Sequence, residues 1–181
     1  MDRVNEATVT ETDTGKVVEG EGWFILNLAE ASWKRDSDLG VWWDPEADHA
    51  SFAQFGIGPH LLMPGQPNAR YHAEAAQEGF LVLAGECIAI VEGEERRMRQ
   101  WDYLHCPPGT YHITIGAGDG PCVILMVGAR GPDVEETRYA VNELAARHGA
   151  SPPHDTDSSK EAYADLERSV TRVAAPWPPR D

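Results

Sequence analysis

Residues 65–85 read Gly65-Gln66-Pro67-Asn68-Ala69-Arg70-Tyr71-His72-Ala73-Glu74-Ala75-Ala76-Gln77-Glu78-Gly79-Phe80-Leu81-Val82-Leu83-Ala84-Gly85. His72 and Glu74 are two apart, so on a strand both side chains leave the same face. Glu78 keeps that parity if the strand continues, or follows a short turn through Ala75-Ala76-Gln77. Ligand-type side chains turned toward a β-core are costly unless something satisfies them. A metal ion does so, because it draws several donors to within ~2.0–2.2 Å. A second block, Trp101-Asp102-Tyr103-Leu104-His105-Cys106-Pro107-Pro108-Gly109-Thr110-Tyr111-His112, follows after a stretch of short apolar runs. Its two prolines and glycine predict a tight turn that aims His112 from a neighbouring strand. Imidazole and carboxylate without thiolate is a donor set for Fe, Mn, Zn, Ni or Cu.

Around these blocks, apolar runs recur at 57–63, 80–83, 87–91, 103–106, 111–115 and 123–127. Turn signals separate them: Pro64-Gly65, Ala84-Gly85, Glu92-Gly93, Pro108-Gly109 and Gly118-Asp119-Gly120. Many short strands with Gly-centred turns predict an all-β barrel or sandwich. Glu92-Gly93 predicts a tight hairpin between an apolar strand and a charged one. Residues 1–21 are polar and aperiodic, and read as a flexible arm or an added edge strand. Ordered structure is expected from Gly22-Trp23-Phe24-Ile25-Leu26, and Ser32 to Ala53 reads as loop with short extended pieces. After Arg130 the pattern turns helical, with Asp133/Glu136 and Ser158/Glu161 at capping-box spacing and Gly149 as a stop. The organisation expected is an arm over 1–21, a barrel over 22–130 and a helical extension packed on it over 131–181.

The two blocks resemble the two sequence motifs of the cupin superfamily. The first motif runs G, five residues, HxH, three or four residues, E, six residues, G; Gly65, His72, Glu74, Glu78 and Gly85 fill it, with one extra residue before His72. The second runs G, five residues, PxG, two residues, H, three residues, N. Pro107, Gly109 and His112 fill it, while Trp101 replaces its glycine and Gly116 its asparagine. The resemblance covers roughly Phe55 to Gly128. It implies a double-stranded β-helix, or jelly-roll, barrel, here with short C-terminal helices, and one divalent metal ion (Fe, Mn, Zn or Ni) held by His72, Glu74, Glu78 and His112. The family's second histidine is Glu74 here, which adds negative charge and favours harder ions such as Mn(II) or Fe(II). Alternatively His72, Glu74 and His112 form a facial triad with Glu78 behind it, or Gln77 replaces Glu78 as a ligand. The 2-oxoglutarate oxygenases that such a triad suggests carry an Arg about ten residues beyond the last His; Cys122 stands there, which argues against that class. The resemblance implies a metal-dependent enzyme of oxygenase or decarboxylase type acting on a small organic molecule, with Glu78 as a ligand or a catalytic proton-transfer group. The alternative is a non-catalytic cupin that binds or senses a small metabolite. A sugar-nucleotide epimerase would need a His–Asp base pair and an opposing Tyr, for which no residues are placed. Resembling proteins are commonly homodimers, and exposed strand edges agree with that expectation.

Bulk composition narrows the partners. The 181 residues are 41% hydrophobic, enough for one domain with a core. Thirty acidic and 15 basic residues leave a net charge of −15, a field that repels nucleic acid and anionic membrane. No run approaches the ~20 apolar residues that cross a bilayer, and residues 1–18 do not form a secretory signal, so a cytoplasmic location is expected. Cys87, Cys106 and Cys122 lack CxxC spacing and are expected as buried thiols. By alternation His105 and Cys106 face opposite sides, so no Cys–His nucleophile pair is expected; His105 reads as structural or as a partner behind a ligand. Trp42, Trp43 and Tyr111 read as packing residues that a barrel mouth can also use, and Arg70 as a solvated charge. No GxGxxG, P-loop or GxSxG is present.

Overall fold

A computed structural model describes residues 3–44, 52–131 and 136–177. Its frame is two facing antiparallel sheets. Strands β1 (Thr8–Thr12), β2 (Gly15–Glu19), β3 (Ser32–Asp36), β4 (Gly40–Trp42), β5 (Phe55–Leu62), β6 (His72–Glu74), β7 (Glu78–Ala84), β8 (Glu86–Val91), β9 (Glu94–Arg99), β10 (Tyr103–Cys106), β11 (His112–Ala117), β12 (Cys122–Ala129) and β13 (Thr137–Tyr139) precede helices α1 (Glu143–Arg147) and α2 (Ser159–Ala162), and β14 (Thr171–Ala174) ends the chain of elements. One sheet runs β10-β7-β12-β5-β4-β3-β14 and the other β13-β6-β11-β8-β9. They face one another as the walls of a jelly roll, as the sequence predicts.

Alternation along the strands explains the layers. Leu62, Phe80, Val82, Cys122 and Ile124 point inward and meet Cys87, Ala89 and Met98 from the opposite sheet. Their neighbours Leu61 and Val123 point outward and join Trp33, Val41 and Trp43 in a second cluster, covered by Leu26, Leu28, Val173 and Trp177. A third cluster, Tyr71, Ile90, Ile113 and Ile115 with Ala145 and Ala150, covers the outside of the five-stranded sheet. The central strands of each sheet are thus buried on both faces, and the outer coverings come from the flanking segments, while the edge strands β9, β10 and β14 are largely exposed. No helix among the described residues is long and apolar enough to cross a membrane.

The flanks differ from expectation. Residues 8–19 form a hairpin, tied to the main body where Lys16 N donates to Glu30 O at 2.7 Å. Gly22–Leu26 is not a strand: Trp23 makes one isolated bridge to Glu6, and Leu26 contributes its side chain to the outer cluster without a ladder. The first C-terminal helix begins at the Asn142 cap, not at Asp133, which lies outside the described residues. Residues 137–139 instead pair with β6 and extend the five-stranded sheet. Gly149 follows that helix with φ +66, as predicted. Ser158 caps α2, but this helix is one turn long, and Val173 lies in β14 paired with β3. Tertiary pairing overrides helical spacing here, because both sheets offer an open edge to the returning chain.

Local backbone needs explain the motif glycines. Gly65, Gly85 and Gly109 all have positive φ. So does Trp101, at φ +75, in the position where the family motif carries glycine. Its indole is 69% exposed, so packing gives little in return for a conformation that costs a side-chain-bearing residue about 1–2 kcal/mol. Gly116, in place of the family's asparagine, has no room for a side chain: a Cβ there would lie 2.3 Å from the Met63 carbonyl oxygen. Glu92 (φ 49) and Gly93 (φ 75) form the tight β8–β9 turn that the sequence predicts. Trp101→Gly is expected to leave stability unchanged or raise it by up to about 1 kcal/mol, whereas Trp101→Val lowers it by about 1–2 kcal/mol; urea denaturation of the two variants checks this.

Candidate metal centre

Cross-strand pairing sets the site. His72 on β6 and His112 on β11 are direct register partners, so both imidazoles leave the same inner face with ring centroids 4.8 Å apart. Each ring is oriented the same way. Nδ1 of His72 donates to the carbonyl of Arg70 at 2.6 Å, and Nδ1 of His112 donates to the carbonyl of Thr110 at 3.0 Å. A ring that donates from Nδ1 carries its lone pair on Nε2 when neutral, and a histidine ligand is oriented this way. Glu78 reaches across from the facing sheet, its Oε2 3.3 Å from His112 Nε2. The donor atoms of His72, Glu78 and His112 all lie within 4.8 Å of one another. His112 is 1% exposed, and its Nε2 has no hydrogen-bond partner among the described residues. A buried lone pair left unsatisfied beside a carboxylate fits a cation and is costly without one.

The electrostatics of the cluster's own side chains agree. Burial, and then the charge on His72, push His112 down to about 4. Burial also opposes charge on His72, but Glu74, Glu78 and the Arg70 carbonyl outweigh it and raise this group. Glu74 is lowered by His72, whose Nε2 is 3.6 Å from its Oε1. Burial, and then the charge of Glu74, lift Glu78 to about 7. Protons therefore hold the cluster together where a divalent ion would replace them.

Of the four residues singled out in the sequence, three converge. Glu74 stands beside His72 but outside the trio, with its side chain 32% exposed. Gln77 is exposed and contributes only its carbonyl, which accepts from Ala129 N, so it is not a substitute ligand. His105 is exposed while Cys106 is buried, as alternation predicts. Burial pushes the Cys106 thiol up to about 12, which leaves it inert. All three cysteines are buried and free.

The trio opens onto a cavity of about 650 Å³ whose lining includes Trp42, Trp43, His60, Asn68, Arg130, Tyr139 and Tyr163. Trp42 and Trp43 therefore do reach the mouth, whereas Tyr111 stacks on Tyr71 away from it. Asn68, Tyr139, Tyr163 and Arg130 carry no spacing signal; Tyr139 and Tyr163 are revealed only by the pairing that brings β13 and the C-terminal segment over the site, and Asn68 and Arg130 only by the course of the chain before β6 and after β12. Arg70 is a correction: it is 3% exposed rather than solvated. Its Nη1 donates to Gly149 O at 2.6 Å and Ser151 O at 3.0 Å, its Nη2 to Asp165 Oδ1, and its backbone N–H to Tyr163 Oη at 3.1 Å. The residue whose carbonyl orients His72 is thus fastened to the C-terminal segment. Arg70→Met should lower stability by about 2–4 kcal/mol in chemical denaturation, because two carbonyls and a carboxylate lose their hydrogen bonds to a buried guanidinium.

His60 adds a pH dependence. Its Nδ1 is sealed from solvent without a partner among the described residues, and its ring stacks on Trp42 at 6.1 Å. Burial lowers it to about 4, against 6.5 in the unfolded chain. The unfolded chain takes up this proton first, so stability is lost as pH falls from about 6.5 to about 4. His60→Phe should remove about 2–3 kcal/mol of that acid sensitivity, read from unfolding free energies at pH 7 and pH 4.

Comparison with known proteins follows the same outline. Residues 60–128 match the cupin domain family model. No curated protein sequence matches the chain. Among solved structures, a sugar phosphate isomerase from a cupin superfamily of Silicibacter pomeroyi is 27% identical over 50% of this chain and 59% of its own, with a TM-score of 0.46. A putative sugar phosphate isomerase from Acidithiobacillus ferrooxidans is 22% identical over 50% of this chain and 60% of its own, with a TM-score of 0.44. A cupin 2 domain-containing protein from Halorhodospira halophila is 14% identical over 65% of this chain and 88% of its own, with a TM-score of 0.48. The aligned part of this chain thus spans about three-fifths of the two isomerases. The family match falls on the strands that carry His72, Glu78 and His112, and over that span the chain is similar to the cupin domain.

Proposed function

We propose that this cupin binds one divalent transition-metal ion through His72 Nε2, His112 Nε2 and the Glu78 carboxylate, and that it is a metal-dependent enzyme acting on a small organic molecule. The observation that carries this reading is the paired orientation of the imidazoles, each Nδ1 given to a carbonyl, with the buried Nε2 of His112 left without a partner. When bound, the ion would supply Lewis acidity, or redox capacity if it is Fe or Mn. Three protein donors leave coordination positions open on an ion that takes four to six, and the adjoining cavity of about 650 Å³ suits a small substrate. Oxygenation and decarboxylation are the reaction types favoured.

The chain's own residues have separable tasks. Phe80, with its ring centroid 5.0 Å from that of His112, and the buried His72–Tyr139 contact at 5.8 Å exclude water from the back of the site. Glu74 lines the cavity beside His72 and is placed to accept a proton from a bound molecule. Trp42 and Trp43 supply an apolar wall. A non-catalytic metabolite-binding module is the second reading, favoured only if every coordination position proves to be filled by protein.

Elemental analysis by mass spectrometry tests the proposal. Wild type should carry about one Fe, Mn, Zn or Ni per chain, and His72→Ala/His112→Ala should carry none. Glu78→Gln should weaken metal affinity by about ten- to a hundredfold, whereas Glu74→Gln should retain the metal. Absence of metal from wild type after reconstitution with each ion would overturn the metalloenzyme reading.

A further inference from the structure

The deep end of the cavity holds two hydrogen-bond donors that the metal cluster does not use. One inward-facing row of the seven-stranded sheet joins Trp42, His60, Ile124 and Val82 as register partners. Direct cross-strand partners point to the same face. The next row toward the mouth is Gly58, Met126 and Phe80. Ile124 and Val82 are fully buried, so His60 stands where closed core gives way to cavity. Its ring stacks on Trp42 with the planes 18° apart. Nδ1 is sealed and has no partner among the described residues. Nε2 has no partner among them either, yet it is not sealed: the residue is half-buried and opens onto the cavity. Gly58, two residues away on the same face, leaves space beside the ring.

The facing sheet supplies the second donor. Asn68 lies before β6 and also lines the cavity. Its Oδ1 accepts from Thr114 N at 3.1 Å and from Thr114 Oγ1 at 2.9 Å. Two donors on one atom settle which end of the amide is the oxygen. Nδ2 then points across the interior to Met126 Sδ at 3.6 Å. A thioether is a weak acceptor, so an oxygen arriving there would displace it. Met126 is the register partner of Gly58 and stands diagonally from His60. The amide and the imidazole therefore adjoin the same side chain, one from each sheet.

We infer that His60 Nε2–H and Asn68 Nδ2–H together hold a neutral carbonyl oxygen of a small organic molecule, seated in the space beside Gly58. The tautomer with its proton on Nε2 leaves a lone pair at the sealed Nδ1, whereas the other would bury an N–H with no acceptor. A carbonyl oxygen has two lone pairs and takes both donors. A hydroxyl would bring a proton of its own, for which Met126 offers only a thioether. A carboxylate would bring a charge that neither donor neutralises, because burial keeps His60 uncharged near neutral pH. The His60 row lies two residues along the strands from the row of Phe80, whose ring meets that of His112 at 5.0 Å. That is a separation of about 7 Å, so the carbonyl is the end of the molecule turned away from the imidazoles of His72 and His112. That the other end meets a metal ion rests on the reading above; the donor pair does not.

Heteronuclear NMR of the nitrogen-labelled histidine and asparagine side chains tests this, in zinc-treated and chelator-treated protein with zinc content measured on each sample. Acetone, cyclopentanone and cyclohexanone are titrated. Beside cyclopentanone run methylenecyclopentane, which has its shape and no acceptor, cyclopentanol and cyclopentanecarboxylate. At neutral pH His60 should carry its proton on Nε2. Cyclopentanone should shift both His60 Nε2 and the Asn68 amide with one common dissociation constant, and methylenecyclopentane should bind about tenfold or more weakly. His60→Phe should lose about tenfold in ketone affinity and nothing for methylenecyclopentane, at unchanged zinc content. Asn68→Asp, which keeps the acceptor for Thr114, should lose as much; if it does not fold, the wild-type amide shift decides that arm. A proton on Nδ1, equal binding of ketone and alkene, tighter binding of the alcohol or the carboxylate, or undiminished ketone binding by His60→Phe would overturn the inference. So would the failure of every ketone to move either side chain, even where zinc is taken up and the metal reading stands. Ketone shifts at both side chains in a protein that takes up no zinc would support the donor pair while counting against the metal.

Discussion

Two imidazoles buried between apolar sheets impose the constraint from which the rest of the site follows. Each ring has two nitrogens to satisfy, and each disposes of one by donating to a carbonyl two residues earlier in the chain. That leaves two lone pairs directed at the same small volume, where Glu78 enters from the other sheet. Direct pairing of His72 with His112 makes the geometry a property of strand register. A one-residue slip of either strand would turn its ring to the opposite face and separate the pair, so the hydrophobic alternation that fixes the register also fixes the site.

The central sheets were legible in the sequence because their signals are local. The apolar run from Phe80 to Leu83 announces β7, and Glu92-Gly93 announces a turn that only a few residue types make easily. His72 and His112 were legible for a related reason: spacing on strands fixes which face a side chain takes. Glu74 shows the limit of that argument. Parity places it on the same face as His72, yet it falls outside the convergent trio, because Glu78 begins a new strand in the opposite sheet. Trp101 shows that a motif position can mark a backbone conformation rather than a residue type.

What was not legible is what depends on distant pairing. The C-terminal segment has helical spacing, but its residues find open sheet edges at β6 and β3 and extend them. Arg70 reads as a surface charge because nothing nearby in sequence can satisfy it; its partners Gly149, Ser151 and Asp165 lie roughly eighty to ninety-five residues later. Tyr139, Tyr163 and Arg130 reach the cavity by the same route, from outside the segment with the cupin motifs or at its very end.

That long tether sets an order of events during synthesis. Strands β5 to β12 can pair with one another as soon as residues 55–129 have left the ribosome, since every partner in their ladders except β13 is then present. The fastening of Arg70 must wait until Asp165 has emerged, some 95 residues after Arg70 itself. Between those moments the nascent chain holds a folded barrel whose strand β6 has neither β13 beside it nor the C-terminal segment behind it. The two imidazoles acquire their final support only once β13 has paired with β6 and the C-terminal segment has been fastened behind them.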